Sequence, residues 1–77
     1  MDDAHCAAKL AKLIEIEGYE SIDQLAEAVF SDAVCPAICM HEGCNFTCEM
    51  EPDQDAGYCE NCHTNSMKAA LVLAGLI

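Results

Sequence analysis

The sequence predicts a small α+β domain, mostly helical and stabilised by a bound metal. Three observations lead there: helical periodicity fills the first third, cysteines crowd the middle, and a short apolar run closes the chain. With 77 residues it makes one domain, 1–77, and a domain of that size buries too little surface to rest on an apolar core alone. The 7 cysteines name the missing staple. An odd number cannot pair fully in disulfides, and Met1-Asp2-Asp3 lacks the basic start and apolar run of a secretory signal, so a reducing cytoplasm is expected. In that compartment closely spaced cysteines ligate metal or carry redox chemistry more often than they form structural disulfides.

Residues 1–34 read as a helical hairpin. Cys6, Leu10, Leu13 and Ile14 recur at the spacing that lines one helical face, with Asp2 and Asp3 at the positive N-terminus, and Gly18 stops the helix. Ser21 and Gln24 then make a capping box, after which Ile22, Leu25, Ala26, Val29 and Phe30 line a second face. Two helices joined by so short a turn are expected to fold back and share their apolar sides. Periodicity ends at Cys35-Pro36. Residues 45–58 show slight strand character at Phe46-Thr47 and then turn polar, which predicts a short β-hairpin with an acidic tip at 50–57. Residues 66–77 read as an apolar third helix, capped by Asn65 or Ser66 and ended at Gly75. Its apolar run, 69–77, falls far short of the ~20 residues that span a bilayer, so no membrane is expected.

The segment 35–65 holds the chemistry. Cys39-Met40-His41-Glu42-Gly43-Cys44 brings two sulfurs together across a tight turn, and Cys59-Glu60-Asn61-Cys62 repeats the device 14 residues later. Zinc takes four soft ligands in a tetrahedron, and two short turns that each supply a pair satisfy it, which is the spacing of a zinc ribbon. Gly43 permits a left-handed backbone in the first turn. The expected ligands of one structural Zn2+ are Cys39, Cys44, Cys59 and Cys62, with Cys35 the alternative fourth ligand in place of Cys44, because Cys35-Pro36-Ala37-Ile38-Cys39 is another turn that presents two thiols. Iron suits the same donor set. Cys48 and Cys6 read as small buried hydrophobes. His41 and His63 flank ligands and either replace a sulfur or stay exposed beside one, while His5 carries no signal.

The run Cys35-Pro36-Ala37-Ile38-Cys39, Gly43-Cys44, Gly57-Tyr58-Cys59-Glu60-Asn61-Cys62 and Ala70-Leu71-Val72-Leu73-Ala74-Gly75 resembles small bacterial and phage-encoded cysteine-rich proteins with a zinc-ribbon-like pattern. The resemblance covers a little over half of the chain and implies that the ligands come from Cys35, Cys39, Cys44, Cys59 and Cys62. Position 48 is not normally cysteine in that pattern and position 63 is commonly Gly, where this chain has His63. No activity accompanies the family.

The charge bounds the function. The formal net charge is -11, from 14 carboxylates against three lysines, Lys9, Lys12 and Lys68, and no arginine. Direct contact with nucleic acid or anionic lipid is therefore disfavoured. The expected role is that of a small acidic zinc protein, not an enzyme, serving as a protein–protein interaction or adaptor module. It would dock on a protein partner, or on a second copy as a homodimer, through the apolar C-terminal helix. Two other classes compete: a transcription- or DNA-linked regulator acting through a protein partner or as an acidic decoy, and a thiol redox or metal-buffering protein. A redox Cys-x-x-Cys belongs at a helix N-terminus in a strand and helix order that this chain lacks.

Overall fold

The computed structural model describes residues 3–31 and 34–76. Asp2, expected at the first helix's positive end, and Ile77, expected at the end of the third, lie outside the described residues. Two helices, α1 (Asp3–Glu17) and α2 (Ile22–Phe30), precede a four-stranded antiparallel sheet, β1 (Cys35–Cys39), β2 (Thr47–Met50), β3 (Gly57–Cys59) and β4 (Thr64–Ala69), and a single helical turn, α3 (Ala70–Leu73), follows it.

Both helix boundaries follow from local chemistry. Gly18 takes φ 81, and the Tyr19 N–H reaches the Ile14 carbonyl at 3.1 Å while the Gly18 N–H reaches Glu15, the paired bonds that close a helix on a left-handed residue. Ser21 caps α2: its hydroxyl accepts from the Gln24 N–H at 3.2 Å, and the Gln24 side chain in turn accepts from the Glu20 N–H at 2.7 Å. The helices meet in one core, formed by Leu13, Leu25, Val29, Ile38 and Leu71 with smaller neighbours. α1 lies chiefly against β1 and α3. The two helices thus contribute their apolar faces to one core together with β1 and α3, rather than packing chiefly on each other as the expected hairpin would.

The sheet departs from expectation in two places. Its order is β2-β1-β4-β3, so the partner of β2 is β1, and β3 pairs with β4 on the opposite side. The hairpin expected across residues 45–58 is replaced by a crossover: the acidic residues 51–56 pass from one edge of the sheet to the other, held where the Ala69 N–H donates to the Gln54 carbonyl at 2.9 Å. β1 escaped notice because all five of its residues are buried, which erases the alternation that marks a half-exposed strand. Pro36 fits there because β4 reaches only Ala37–Cys39, so β1 has β2 alone for a neighbour at that position.

The third helix is the second correction. Residues 66–69, read as its beginning, continue β4, and helix occupies only Ala70–Leu73. Met67, Lys68 and Ala69 are good helix formers, but pairing of β4 with β1 on one side and β3 on the other overrides so weak a preference. α3 ends as expected at Gly75, where the Leu76 N–H reaches the Leu71 carbonyl at 3.0 Å. Among the described residues no helix is long and apolar enough to cross a membrane.

Ile38 is fully buried between the helices and the sheet, whereas Ile16 is partly exposed on α1. Ile38→Ala is expected to cost about 2–5 kcal/mol in urea unfolding, against under about 0.5 kcal/mol for Ile16→Ala; equal effects would mean that the core lies elsewhere.

Candidate metal centre

Each cysteine pair combines the last residue of a strand with a residue of the turn that follows it. Cys39 ends β1 and Cys44 sits in the turn before β2; Cys59 ends β3 and Cys62 sits in the turn before β4. Because β1 and β4 run antiparallel, both turns emerge at the same end of the sheet. There the four sulfurs lie within 4.8 Å of one another. Cys39 Sγ stands 3.7 Å from Cys62 Sγ and Cys44 Sγ 3.9 Å from Cys59 Sγ. A tetrahedron with metal–sulfur bonds of ~2.3 Å has edges of ~3.8 Å, so these separations suit a tetrahedral ion.

The turns are shaped for the task. The Cys44 N–H donates to the His41 carbonyl at 3.1 Å, closing a turn whose third position is Gly43 at φ 80. In the second turn the His63 N–H donates to the Cys59 carbonyl at 2.7 Å, and His63 itself takes φ 59, a left-handed conformation unusual for a side chain of its size. It stands where ligand turns of this kind commonly carry glycine. Cys39 and Cys59 are fully buried and Cys44 nearly so, leaving Cys62 as the partly exposed member.

Polar neighbours converge on the sulfurs. The Asn61 amide donates to Cys44 Sγ at 3.3 Å, the Cys62 N–H to Cys59 Sγ at 3.4 Å, and the Ser66 hydroxyl stands 3.1 Å from Cys39 Sγ. As free thiols the four are not equivalent. The Phe46 backbone N–H and then Asn61 hold Cys44 down at about 6. Cys62 is pushed up to about 12, first by its hydrogen bond with Cys44 and then by burial, and burial likewise raises Cys59. One sulfur is thus ready as a thiolate near neutrality, while Cys59 and Cys62 would hold their protons until a cation replaced them.

The remaining cysteines stand apart from this group. Cys35, the alternative ligand, is buried in the helix-facing core, where its thiol donates to the Pro36 carbonyl at 3.4 Å. It begins β1, so the segment 35–39 is a strand and not the turn expected to present two thiols. Cys48, on β2, packs against the cluster without joining it, and burial raises its thiol. Cys6 is half-buried on α1. The exposed His63 ring stands 3.2 Å from the Tyr58 hydroxyl, and His41, also exposed, contributes its carbonyl to the turn.

The residue that sequence reasoning missed is Lys9. Only 6% exposed, it donates from Nζ to the carbonyls of His41 and Cys44, each at 2.6 Å. His5, one helical turn earlier, holds the Met40 carbonyl through its ring. A buried ammonium needs such partners, and here it sets a positive charge beside a centre that four thiolates and a divalent ion would leave at -2. The available signal was the spacing of His5 and Lys9, four apart on one face of α1. Comparison with family models, with curated proteins and with solved structures finds no match to this chain.

Two outcomes follow from this geometry. Lys9→Met keeps the aliphatic stem and strips the buried Cys44 carbonyl and the part-buried His41 carbonyl of their donor, so it is expected to cost the metal-loaded protein about 1–3 kcal/mol in urea unfolding. Lys12→Met breaks only an exposed pair with Glu15 at 3.9 Å and is expected to cost under about 0.5 kcal/mol; if the two variants behave alike, Lys9 does not clamp the turn. Metal affinity is expected to weaken on acidification, because a protonated thiol does not ligate. Expelling the protons of Cys59 and Cys62 alone makes the apparent affinity change by at least roughly a hundredfold per pH unit near neutrality, and protonation of Cys44 below about 6 steepens it further. Chelator competition one pH unit apart checks this, and a flat response would show that these thiols are not the ligands.

Proposed function

We propose that this chain is a structural-zinc protein that acts as an acidic adaptor in protein–protein contact. One observation carries the metal reading: four sulfurs from two separate hairpins stand within 4.8 Å of one another. Supporting the structural role, all four donors are thiols and three of them are buried, whereas catalytic zinc keeps an open position and favours histidine and carboxylate ligands. Zinc is the proposed ion, with iron chemically allowed by the same sulfurs. A reducing compartment keeps such thiols free to ligate.

The adaptor reading rests on charge and on what the fold leaves outside. At -11 without arginine, the chain repels phosphate backbones and attracts basic protein surfaces. The C-terminal apolar stretch contributes to docking only in part, since Ala70 and Leu71 are buried in the protein's own core, while Leu76 is exposed.

Elemental analysis is expected to give one zinc per chain, and chelation to unfold at least residues 35–77, because the binding energy of a structural site is folding energy, about 10–16 kcal/mol for small zinc domains. Loss of amide dispersion in that half, restored by added zinc, is the supporting result. Native dispersion after complete demetallation would sink the proposal.

A further inference from the structure

Beside its core-facing side, α2 presents a flank that the core uses only at the buried Ala26. Asp23, Ala26, Glu27 and Phe30 fall at i, i+3, i+4 and i+7, one continuous side of the helix, and together with Leu76 they line a surface cleft of about 510 Å3. Phe30 is 75% exposed and Leu76 55%. An exposed aromatic beside an exposed leucine, rimmed by charge, has the composition of a contact surface. The rim is purely acidic. Among the described residues no cation pairs with Asp23 or Glu27, and all three lysines are engaged elsewhere: Lys9 at the turn carbonyls, Lys12 with Glu15, and Lys68 at the Asp55 carbonyl.

We infer that this cleft receives a basic amphipathic segment of a partner protein, an apolar side chain seated between Phe30 and Leu76 with Lys or Arg facing Asp23 and Glu27. The inference rests on the adaptor reading above and gives it a place and a partner chemistry. Charge complementarity selects the occupant. A second copy is the poorer candidate, because each chain carries -11 and a symmetric contact would set Asp23 and Glu27 against their own kind. A nucleic acid is excluded from this face by the same carboxylates.

The test is a titration of the zinc-loaded, isotope-labelled chain with three synthetic helical peptides: one of Leu and Lys, its charge reversal of Leu and Glu, and an apolar-deleted version of Ser and Lys. The Leu/Lys peptide is expected to shift the amide signals of Asp23, Ala26, Glu27, Phe30 and Leu76, and the other two to leave them in place. Phe30→Ser and Leu76→Ser, both at exposed positions and verified as folded by circular dichroism, are each expected to weaken binding about tenfold. The double variant Asp23→Asn, Glu27→Gln is expected to weaken it about three- to tenfold and flatten its salt dependence. Shifts confined to the acidic crossover at 51–56, unchanged affinity in Phe30→Ser, or no shift at all would each overturn the inference. So would concentration-dependent shifts of the same five residues without peptide, which would make a second copy the occupant. A chain that keeps its fold without zinc overturns the metal reading and not this one, because the titration reads only the surface of the folded state.

Discussion

The antiparallel pairing of β1 with β4 is the constraint on which the rest of the molecule depends. Each of these strands adjoins a cysteine turn, Cys39 leading out of β1 and Cys62 leading into β4. Antiparallel neighbours put those two turns at one end; parallel neighbours would separate them by the length of a strand, about 17 Å for five residues. Register matters as much as direction. With Cys39 opposite Met67 the sulfurs come within 4.8 Å, and a two-residue slip would displace one turn by about 7 Å, beyond the reach of any single ion. The dependence runs both ways, since β3 has only three residues and offers little pairing of its own.

Electrostatics then explains why the helices belong to the same unit as the candidate metal centre. A chain this acidic would gain further negative charge on loading a four-thiolate site, and it has three lysines with which to answer it. One of them, Lys9, is committed to the interior, where its ammonium joins two carbonyls of the first cysteine turn. Those carbonyls converge because Gly43 lets the turn close tightly. α1 is thereby fastened at both ends of its buried face, by Leu13 in the core and by Lys9 and His5 at the turn. The helical half and the cysteine half are consequently coupled through a handful of polar contacts as well as through packing.

Much of this was legible in the sequence, and the misses share a physical cause. The boundaries of α1 and α2 were readable because glycine, serine and glutamine act locally, through bonds to backbone groups a few residues away. The four-sulfur grouping was readable because spacing within each turn is also local. What escaped depends on partners distant in the chain: β1, buried along its whole length and so without alternation; β4, whose Met67 favours helix until β1 and β3 flank it and whose Ala69 does so until it pairs with β1; and Lys9, which meets its acceptors some 32 to 35 residues away. The choice between Cys35 and Cys44 belongs to the same class. Both stand near Cys39 in sequence, and only the three-dimensional course of β1 sends Cys35 to the helix-facing core.

That separation of the two cysteines reflects a division of the interior into two clusters. The helix-facing cluster is built on Leu13, Leu25, Ile38 and Leu71, and the second gathers around Ala37, Met67 and the clustered cysteines. Neighbouring residues of β1 serve opposite sides, Ile38 the first and Ala37 with Cys39 the second. A chain of this length cannot make either cluster large. The apolar C-terminal stretch is accordingly drawn inward, with Ala70 and Leu71 completing the first cluster, and an aromatic side chain left outside becomes conspicuous. Phe30 could have pointed toward Val29's neighbours and enlarged that core; instead it lies beside Asp23 and Glu27 on the outer face of α2. In a molecule so short of buried apolar surface, a phenylalanine left exposed within an acidic rim adds little to this fold, and it is the feature on which the proposed contact with a basic partner rests.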